Sequence, residues 1–207
     1  MSGFSPASVL ASCFEYQDIP DKGKYKNLIG QLTLRVVIAE WDRLNDIEKI
    51  LLTAIAIERY GQEFYKSFAM LVDDKKGKAL MNGLAKDEKE HESVLSTQYE
   101  THFHSNPPQK IDIDLGLKAI RHIFGNKKNL DKEKEVTLEI LQVGIVVEDE
   151  SIKYYSSKAK KTSEKELSQL LNNLAKIETE HKEMLEENLF HLRQEGAWWG
   201  YVPILEG

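Results

Sequence analysis

The sequence predicts an all-α fold: an antiparallel four-helix bundle whose two helix pairs are joined by a long crossover. Three observations carry that expectation. Apolar residues recur at helical spacing through two long stretches of the 207-residue chain. The stretches repeat one another: Leu84-Ala85-Lys86-Asp87-Glu88-Lys89-Glu90-His91 aligns without a gap on Leu174-Ala175-Lys176-Ile177-Glu178-Thr179-Glu180-His181. Ile57-Glu58 likewise aligns on Val147-Glu148, and Phe64-Tyr65 on Tyr154-Tyr155, always at an offset of 90 residues. Between the copies, His104 to Lys132 form a connector long enough to cross the end of a bundle.

Residues 1–45 form an N-terminal extension, turn-rich to residue 25. Leu32, Leu34, Val36 and Ile38 alternate as a strand would, and a helix across 26–43 fits nearly as well, so both readings stay open. A first helix is expected over 46–72, entered through Asn45 and Glu48 at capping-box spacing. Asp73-Asp74 opens the turn into a second helix that continues to about residue 103. The connector holds Asn106-Pro107-Pro108 and a short amphipathic stretch around Leu115 to Phe124. A third helix over 133–160 and a fourth over 163–194, capped by Thr162 or Ser163, repeat the plan and complete a bundle domain of residues 46–194. The tail, 195–207, cannot stay helical. Its Trp198, Trp199 and Tyr201 need a surface to cover, on their own bundle, on a dimer partner, or as a docking peptide for another protein.

Composition narrows the function classes. A net charge of -6 with scattered basic residues disfavours a nucleic-acid groove or an anionic membrane surface. Cys13 is the sole cysteine, so no internal disulfide or Cys-rich zinc site can form, which fits a reducing compartment. The longest uncharged stretches, Ile50 to Ile57 and Ile140 to Val147, fall far below the ~20 apolar residues that span a bilayer. Residues 1–15 lack a basic segment followed by an apolar one, so the expected location is cytoplasmic.

The chemistry resides in Glu58, Glu88, His91, Glu148, Glu178 and His181. Glu-x-x-His places both side chains on one helical face, because each residue turns the helix by about 100°. Leu84, Glu88, His91 and Leu95 follow i, i+4, i+7, i+11 spacing, as do Leu174, Glu178, His181 and Leu185, so the polar pairs lie in the apolar stripe. Leu51, Ala54, Glu58 and Tyr65 share a face of the first helix, and Leu141, Gly144, Glu148 and Tyr155 share one of the third. Four buried carboxylates need compensation, and two divalent cations would neutralise them. Oxygen-rich, nitrogen-poor coordination without thiolate suits two iron ions, with manganese or a mixed Fe/Mn pair sharing the same ligand preferences. A single Glu-x-x-His on a helix is ordinarily a solvated pair; two, each with an inward glutamate at one offset, are a ligand set. Glu63, Glu90, Glu150 and Glu180 fall off the stripe, and His102, His104, His122 and His191 read as surface residues without an acidic partner at ligand spacing. Tyr65 and Tyr155 need hydrogen-bond partners in the core; a ligand carboxylate or bridging solvent would serve, and packing alone is the competing reading.

With these residues in place, 46–194 resembles the di-iron domain of the rubrerythrin branch of the ferritin-like superfamily. Ala56-Ile57-Glu58-Arg59-Tyr60-Gly61-Gln62-Glu63-Phe64-Tyr65 and Asp87-Glu88-Lys89-Glu90-His91 are the closest echoes. The resemblance implies peroxide reduction, ferrous oxidation or oxygen-dependent chemistry at a carboxylate-bridged centre, and a homodimer. Two departures stand out. Rubrerythrins proper carry a four-cysteine rubredoxin module, absent from a chain whose one cysteine is Cys13, so a separate electron-donor protein is expected. They also tend to carry an extra glutamate one turn after the third-helix ligand, where this chain has Ser151.

Three functions follow. The leading one is a di-iron oxidoreductase acting on hydrogen peroxide or dioxygen. Another is a ferroxidase or iron-storage protein, which needs a shell or an enclosing partner. The last is an oxygenase on a small organic substrate, for which Ala54, Gly61, Gly144 and Ser151 are small enough to leave a pocket, although small residues also permit close helix packing.

Overall fold

The computed structural model describes residues 44–109 and 133–203, with side chains in the third helix described from Thr137 onward. The expectations for Cys13, for a strand or helix over 26–43, and for Leu115 to Phe124 with His122 lie outside the described residues. Four helices make up the described part: α1 (Asp46–Ala69), α2 (Lys75–Phe103), α3 (Glu133–Lys161) and α4 (Lys165–Gln194). No strand occurs among the described residues. α1 packs closely on α2 and α3 on α4, whereas α1 meets α3 and α2 meets α4 through sparser backbone approach. The architecture is the expected four-helix bundle of two helix pairs.

Capping chemistry sets most helix ends. The Asn45 side chain accepts from the Glu48 N–H at 2.9 Å, and Asp74 accepts from the N–H groups of Lys76 and Gly77, satisfying donors that a first helical turn leaves unpaired. α1 stops at Ala69, three residues before the expected end, because the N–H groups of Leu71 and Val72 both turn back to the Phe68 carbonyl. α2 closes at His104, whose N–H makes the last helical bond, to the Glu100 carbonyl, and whose left-handed φ of 50° then turns the chain off the helix axis. The start of α4 corrects the expected cap. Glu164, not Thr162 or Ser163, occupies the N-cap position and makes no side-chain cap bond; the Thr162 hydroxyl instead accepts from the Glu164 N–H at 3.3 Å. Ser168 anchors this end by donating to the Ala159 carbonyl of α3.

The core divides into two apolar clusters. Phe64, Phe68, Leu80, Met81, Leu84, Leu141 and Leu185 belong to one, and Leu51, Ile55, Leu95, Tyr155, Leu167 and Leu171 to the other. Each helix pair also carries an ionic clasp. Arg59 on α1 meets Glu92 on α2 at 2.5 Å, and Lys182 on α4 meets Asp149 on α3 at 2.8 Å. Positions 59 and 92 correspond to 149 and 182 in the repeat, so the clasp is kept while its charges are exchanged.

After α4 the tail turns back over α2. Gly196 and Gly200 adopt positive φ, 70° and 122°, which a residue with a side chain rarely accepts. The buried Asn188 fixes the return: its Oδ1 accepts from the N–H groups of Trp199 and Gly200, and its Nδ2 donates to the Gly200 carbonyl. Trp198 is buried against Gly77, where a Cβ would collide with its ring, while Trp199 is about half exposed at 47%. Of the surfaces open to these aromatics, the chain's own bundle takes Trp198. Replacing the cap Asp74 by Ala should lower stability by about 1 kcal/mol in urea unfolding without altering the slope with denaturant.

Candidate metal centre

Each expected ligand is buried, and all six converge between the two apolar clusters. Glu58, Glu88, His91, Glu148, Glu178 and His181 are at most 3% exposed. The apolar neighbours expected on their faces, Leu51, Ala54, Leu84, Leu95, Leu141, Leu174 and Leu185, are buried with them. Their donor atoms fall into two groups, Glu58/Glu88/His91/Glu178 and Glu88/Glu148/Glu178/His181, each with its atoms within 4.8 Å of one another. That spread suits a shell around one cation with ligand distances of about 2 Å. Glu88 and Glu178 belong to both groups. They are the central pair, while Glu58 with His91 and Glu148 with His181 close the two ends.

The imidazoles address this centre through Nδ1. His91 Nδ1 lies 3.2 Å from Glu58 Oε2 and 3.1 Å from Glu178 Oε1; His181 Nδ1 lies 2.8 Å from Glu178 Oε2 and 3.6 Å from Glu88 Oε1. The two rings stack at 5.6 Å between centroids. Close approach of α2 to α1 depends on Gly61, since a Cβ there would lie 2.8 Å from the Glu88 carboxyl carbon. The space at Gly144 is likewise filled by Leu185 and Phe64. These two glycines therefore serve close packing and leave no substrate pocket of their own.

Tyr65 and Tyr155 cross between the halves. Tyr65 on α1 donates to Glu148 on α3, and Tyr155 on α3 donates to Glu58 on α1. A ligand carboxylate is thus the partner of each core phenol. Burial, and then the charge of the carboxylate it faces, pushes each phenol well above its ordinary pKa, so both remain donors. Sequence reasoning missed Asp87. Its Oδ2 lies 3.4 Å from His181 Nε2 and accepts from the Tyr201 hydroxyl of the tail at 2.7 Å. Burial raises the Asp87 pKa, but His181 and Tyr201 more than offset it and leave the carboxylate below its ordinary value. One signal was available: Asp87 aligns with Ile177, a charged residue against an apolar one at one of only two mismatched positions in the eight-residue motif.

The residues left off the ligand stripe stay outside the centre. Glu63 and Glu90 are exposed and pair with lysines, as does the half-buried Glu150. His191 departs from expectation in having acidic partners, Glu187 at 3.2 Å and Glu195 at 3.3 Å, yet it remains on the outer surface of α4.

Protons balance the charge when no cation does. Burial first, then repulsion from Glu178, raises Glu88 and Glu148 well above the carboxylate range. Burial disfavours charge on His181, but attraction to Glu178 and contact with Asp87 outweigh it and lift the imidazole to about 10. His91 is raised for the same reason by Glu178 and Glu58, whereas both imidazoles hold Glu178 below its ordinary value despite its burial. The donor set fits a pair of cations: four carboxylates, two imidazoles, and one solvent-sealed atom facing the centre, Glu178 Oε1, without an aligned hydrogen-bond partner among the described residues. Cations entering here must displace those protons.

A stability prediction follows from the sign of these shifts. Raised Glu88, Glu148, His91 and His181 make the folded apoprotein bind more protons than the unfolded chain, so their contribution is full at low pH and lost as pH rises toward the folded values. Between pH 7 and 9 the apoprotein should lose more than about 1 kcal/mol per pH unit in urea unfolding. Saturation with a divalent cation, which removes the bound protons from the folded state, should flatten that slope.

The rubrerythrin family model matches residues 49–189, which include all six clustered ligands. Comparison with curated proteins returns no match. Among solved structures, a hypothetical protein from Pyrococcus furiosus is similar at 22% identity and a TM-score of 0.58, over 81% of this chain and 100% of that one, which shows a shared fold. No described helix is long and apolar enough to cross a membrane. The match to more than half of the chain, centred on the helices that carry the buried glutamates and histidines, places this protein in the rubrerythrin family.

Proposed function

We propose that the chain is a non-haem di-iron oxidoreductase that reduces hydrogen peroxide or dioxygen, taking its electrons from a separate donor protein. The observation that carries this reading is the sharing of Glu88 and Glu178 between two buried ligand groups, an arrangement suited to two adjacent ions. Two irons held side by side would supply one electron each, enough to reduce hydrogen peroxide to water or dioxygen to hydrogen peroxide, with the donor protein restoring both electrons. Manganese or a mixed pair would meet the same donors, and the oxygen-rich, thiolate-free set favours iron among common redox metals.

The protein's own groups prepare the site in three ways. Glu58/His91 and Glu148/His181 distinguish two ends, so each cation position draws on two helices of one half and on a shared glutamate of the other. The phenols of Tyr65 and Tyr155 hold the terminal glutamates from the opposite half and fix which oxygen is left for a metal. The apolar clusters exclude bulk water, which strengthens every charge interaction inside.

Ser151 gives specific support to a second reading, a ferroxidase. It donates to the Val147 carbonyl of its own helix, so no carboxylate stands one turn beyond Glu148 to exchange with the other ligands. Anaerobic ferrous loading followed by stoichiometric hydrogen peroxide or dioxygen separates the two. We expect diferric absorption to develop faster with peroxide; faster reaction with dioxygen would favour the ferroxidase and direct attention to assembly size.

Ligand substitutions test the shared centre itself. Glu88→Ala and Glu178→Ala should each weaken binding at both positions, whereas His91→Ala and Glu148→Ala should each lose mainly one ion, read by ferrous stoichiometry under argon. Tyr65→Phe and Tyr155→Phe should each weaken metal binding by about ten-fold, as expected for removal of a hydrogen bond to a ligand. Unchanged affinity in both would leave the tyrosines a packing role only.

A further inference from the structure

The ligands obey the internal repeat, but the contacts behind them do not. Glu58, Glu88, His91 and Tyr65 each have an identical partner 90 residues later. The three α2 positions that receive the tail, Gly77, Gly83 and Asp87, instead correspond to Leu167, Asn173 and Ile177. Trp198 lies on Gly77, and the Tyr201 ring lies on Gly83, where a Cβ would stand 2.5 Å from ring carbon Cε2. One turn beyond Gly83, the Tyr201 hydroxyl reaches Asp87 Oδ2, the oxygen that faces His181 Nε2 at 3.4 Å. A glycine in a helix interior costs about 1 kcal/mol relative to alanine, so the seat for Tyr201 is kept against helix propensity.

From this juxtaposition we infer that Tyr201 is a positioning residue that makes the two cation positions unequal: by holding Asp87 against His181, the tail strengthens the Glu148/His181 position alone. The inference rests on the metal-centre reading above. Its physical basis is the carboxylate behind a ligand histidine, here Asp87 Oδ2 at an ion-pair distance of 3.4 Å from His181 Nε2 and within reach of a hydrogen bond on a small shift of the ring. A carboxylate that accepts from Nε2–H fixes the tautomer with Nδ1 free for a cation, holds the ring plane and raises the basicity of Nδ1. Without the phenol, the Asp87 side chain, 14% exposed at the edge of α2, has no other hydrogen-bond donor fixing Oδ2 among the described residues. The phenol fixes Oδ2, and Asn188 fixes the phenol's own strand of backbone through its bonds to Trp199 and Gly200. Among the described residues the repeat offers His91 no counterpart, because Ile177, at the position equivalent to Asp87, has no side-chain acceptor.

Cobalt(II) titration of the apoprotein, followed by calorimetry and by the visible d–d bands of each bound ion, tests this without reference to turnover. The unaltered protein should bind two ions with resolvable affinities. Tyr201→Phe, which keeps the ring over Gly83, should weaken one ion by about ten-fold or more and shift its bands, while the other stays within about two-fold. Asp87→Asn should do the same, and Tyr201→Phe should add little on that background. His181→Ala should abolish the tyrosine's effect, and His91→Ala should preserve it. Thermal unfolding of the apoprotein should be nearly unchanged by Tyr201→Phe, which separates positioning from general loosening. Equal weakening of both ions, or no weakening of either, overturns the inference while leaving the metal centre intact. Failure of the unaltered protein to bind two ions would overturn the metal-centre reading and this inference together.

Discussion

Burial of four carboxylates and two imidazoles between apolar helices is the constraint on which the structure depends. A lone charge in such a place costs several kcal/mol. Compensation comes from protons, on Glu88, Glu148 and the imidazoles, or from cations that replace them. The surrounding features follow from this need. Gly61 admits Glu88 to the centre, Tyr65 and Tyr155 satisfy an oxygen of each terminal glutamate, and two apolar clusters keep water away from both ends. A site of this kind is stable only when fully partnered, so its geometry is set by chemistry as much as by packing.

Symmetry explains how so few residues specify the site. A helix pair carrying one inward glutamate and one Glu-x-x-His provides half of a coordination shell, and its repeat provides the other half around a pseudo-twofold relation. The exchange of Arg59–Glu92 for Asp149–Lys182 shows what such a relation requires. An ion pair between neighbouring helices survives reversal of its charges, because its role is attraction across a half-buried seam. Glutamate and histidine cannot be exchanged in this way, since Glu-x-x-His puts the shared carboxylate one turn before the imidazole.

Periodicity made the helices and the ligands legible. The stripe Leu84, Glu88, His91, Leu95 is read directly from spacing, and every member is buried as expected. Tertiary contacts between residues far apart in sequence were not legible. Asp87 reads as one more charge in an acidic run until Tyr201 and His181 are brought to it from separate parts of the chain. The cap of α4 failed for a local reason: Thr162 and Ser163 are both good capping residues, but the helix begins at Lys165, beyond the reach that would make either the N-cap. The tail's aromatics announced a need for a surface, and only Gly77 and Gly83, two small residues in an otherwise good helix sequence, hinted at which one.

The distribution of contacts gives the centre a mechanical role. Within each half, helices pack along their length and are clasped by an ion pair; between halves, backbone approach is sparse. What joins the halves at mid-bundle is polar: Glu178 of α4 reaches His91 of α2, and the two tyrosines bond across from α1 to α3 and back. The site is therefore a cross-link as well as a ligand set. A group that binds there acts on all four helices at once, because the shared glutamates come from opposite halves. The relative placement of the halves therefore bears directly on the spacing of the ligands: whatever spreads α2 from α4 also pulls Glu88 and Glu178 apart, and the two apolar clusters, each drawn from both halves, hold the bundle closed around them.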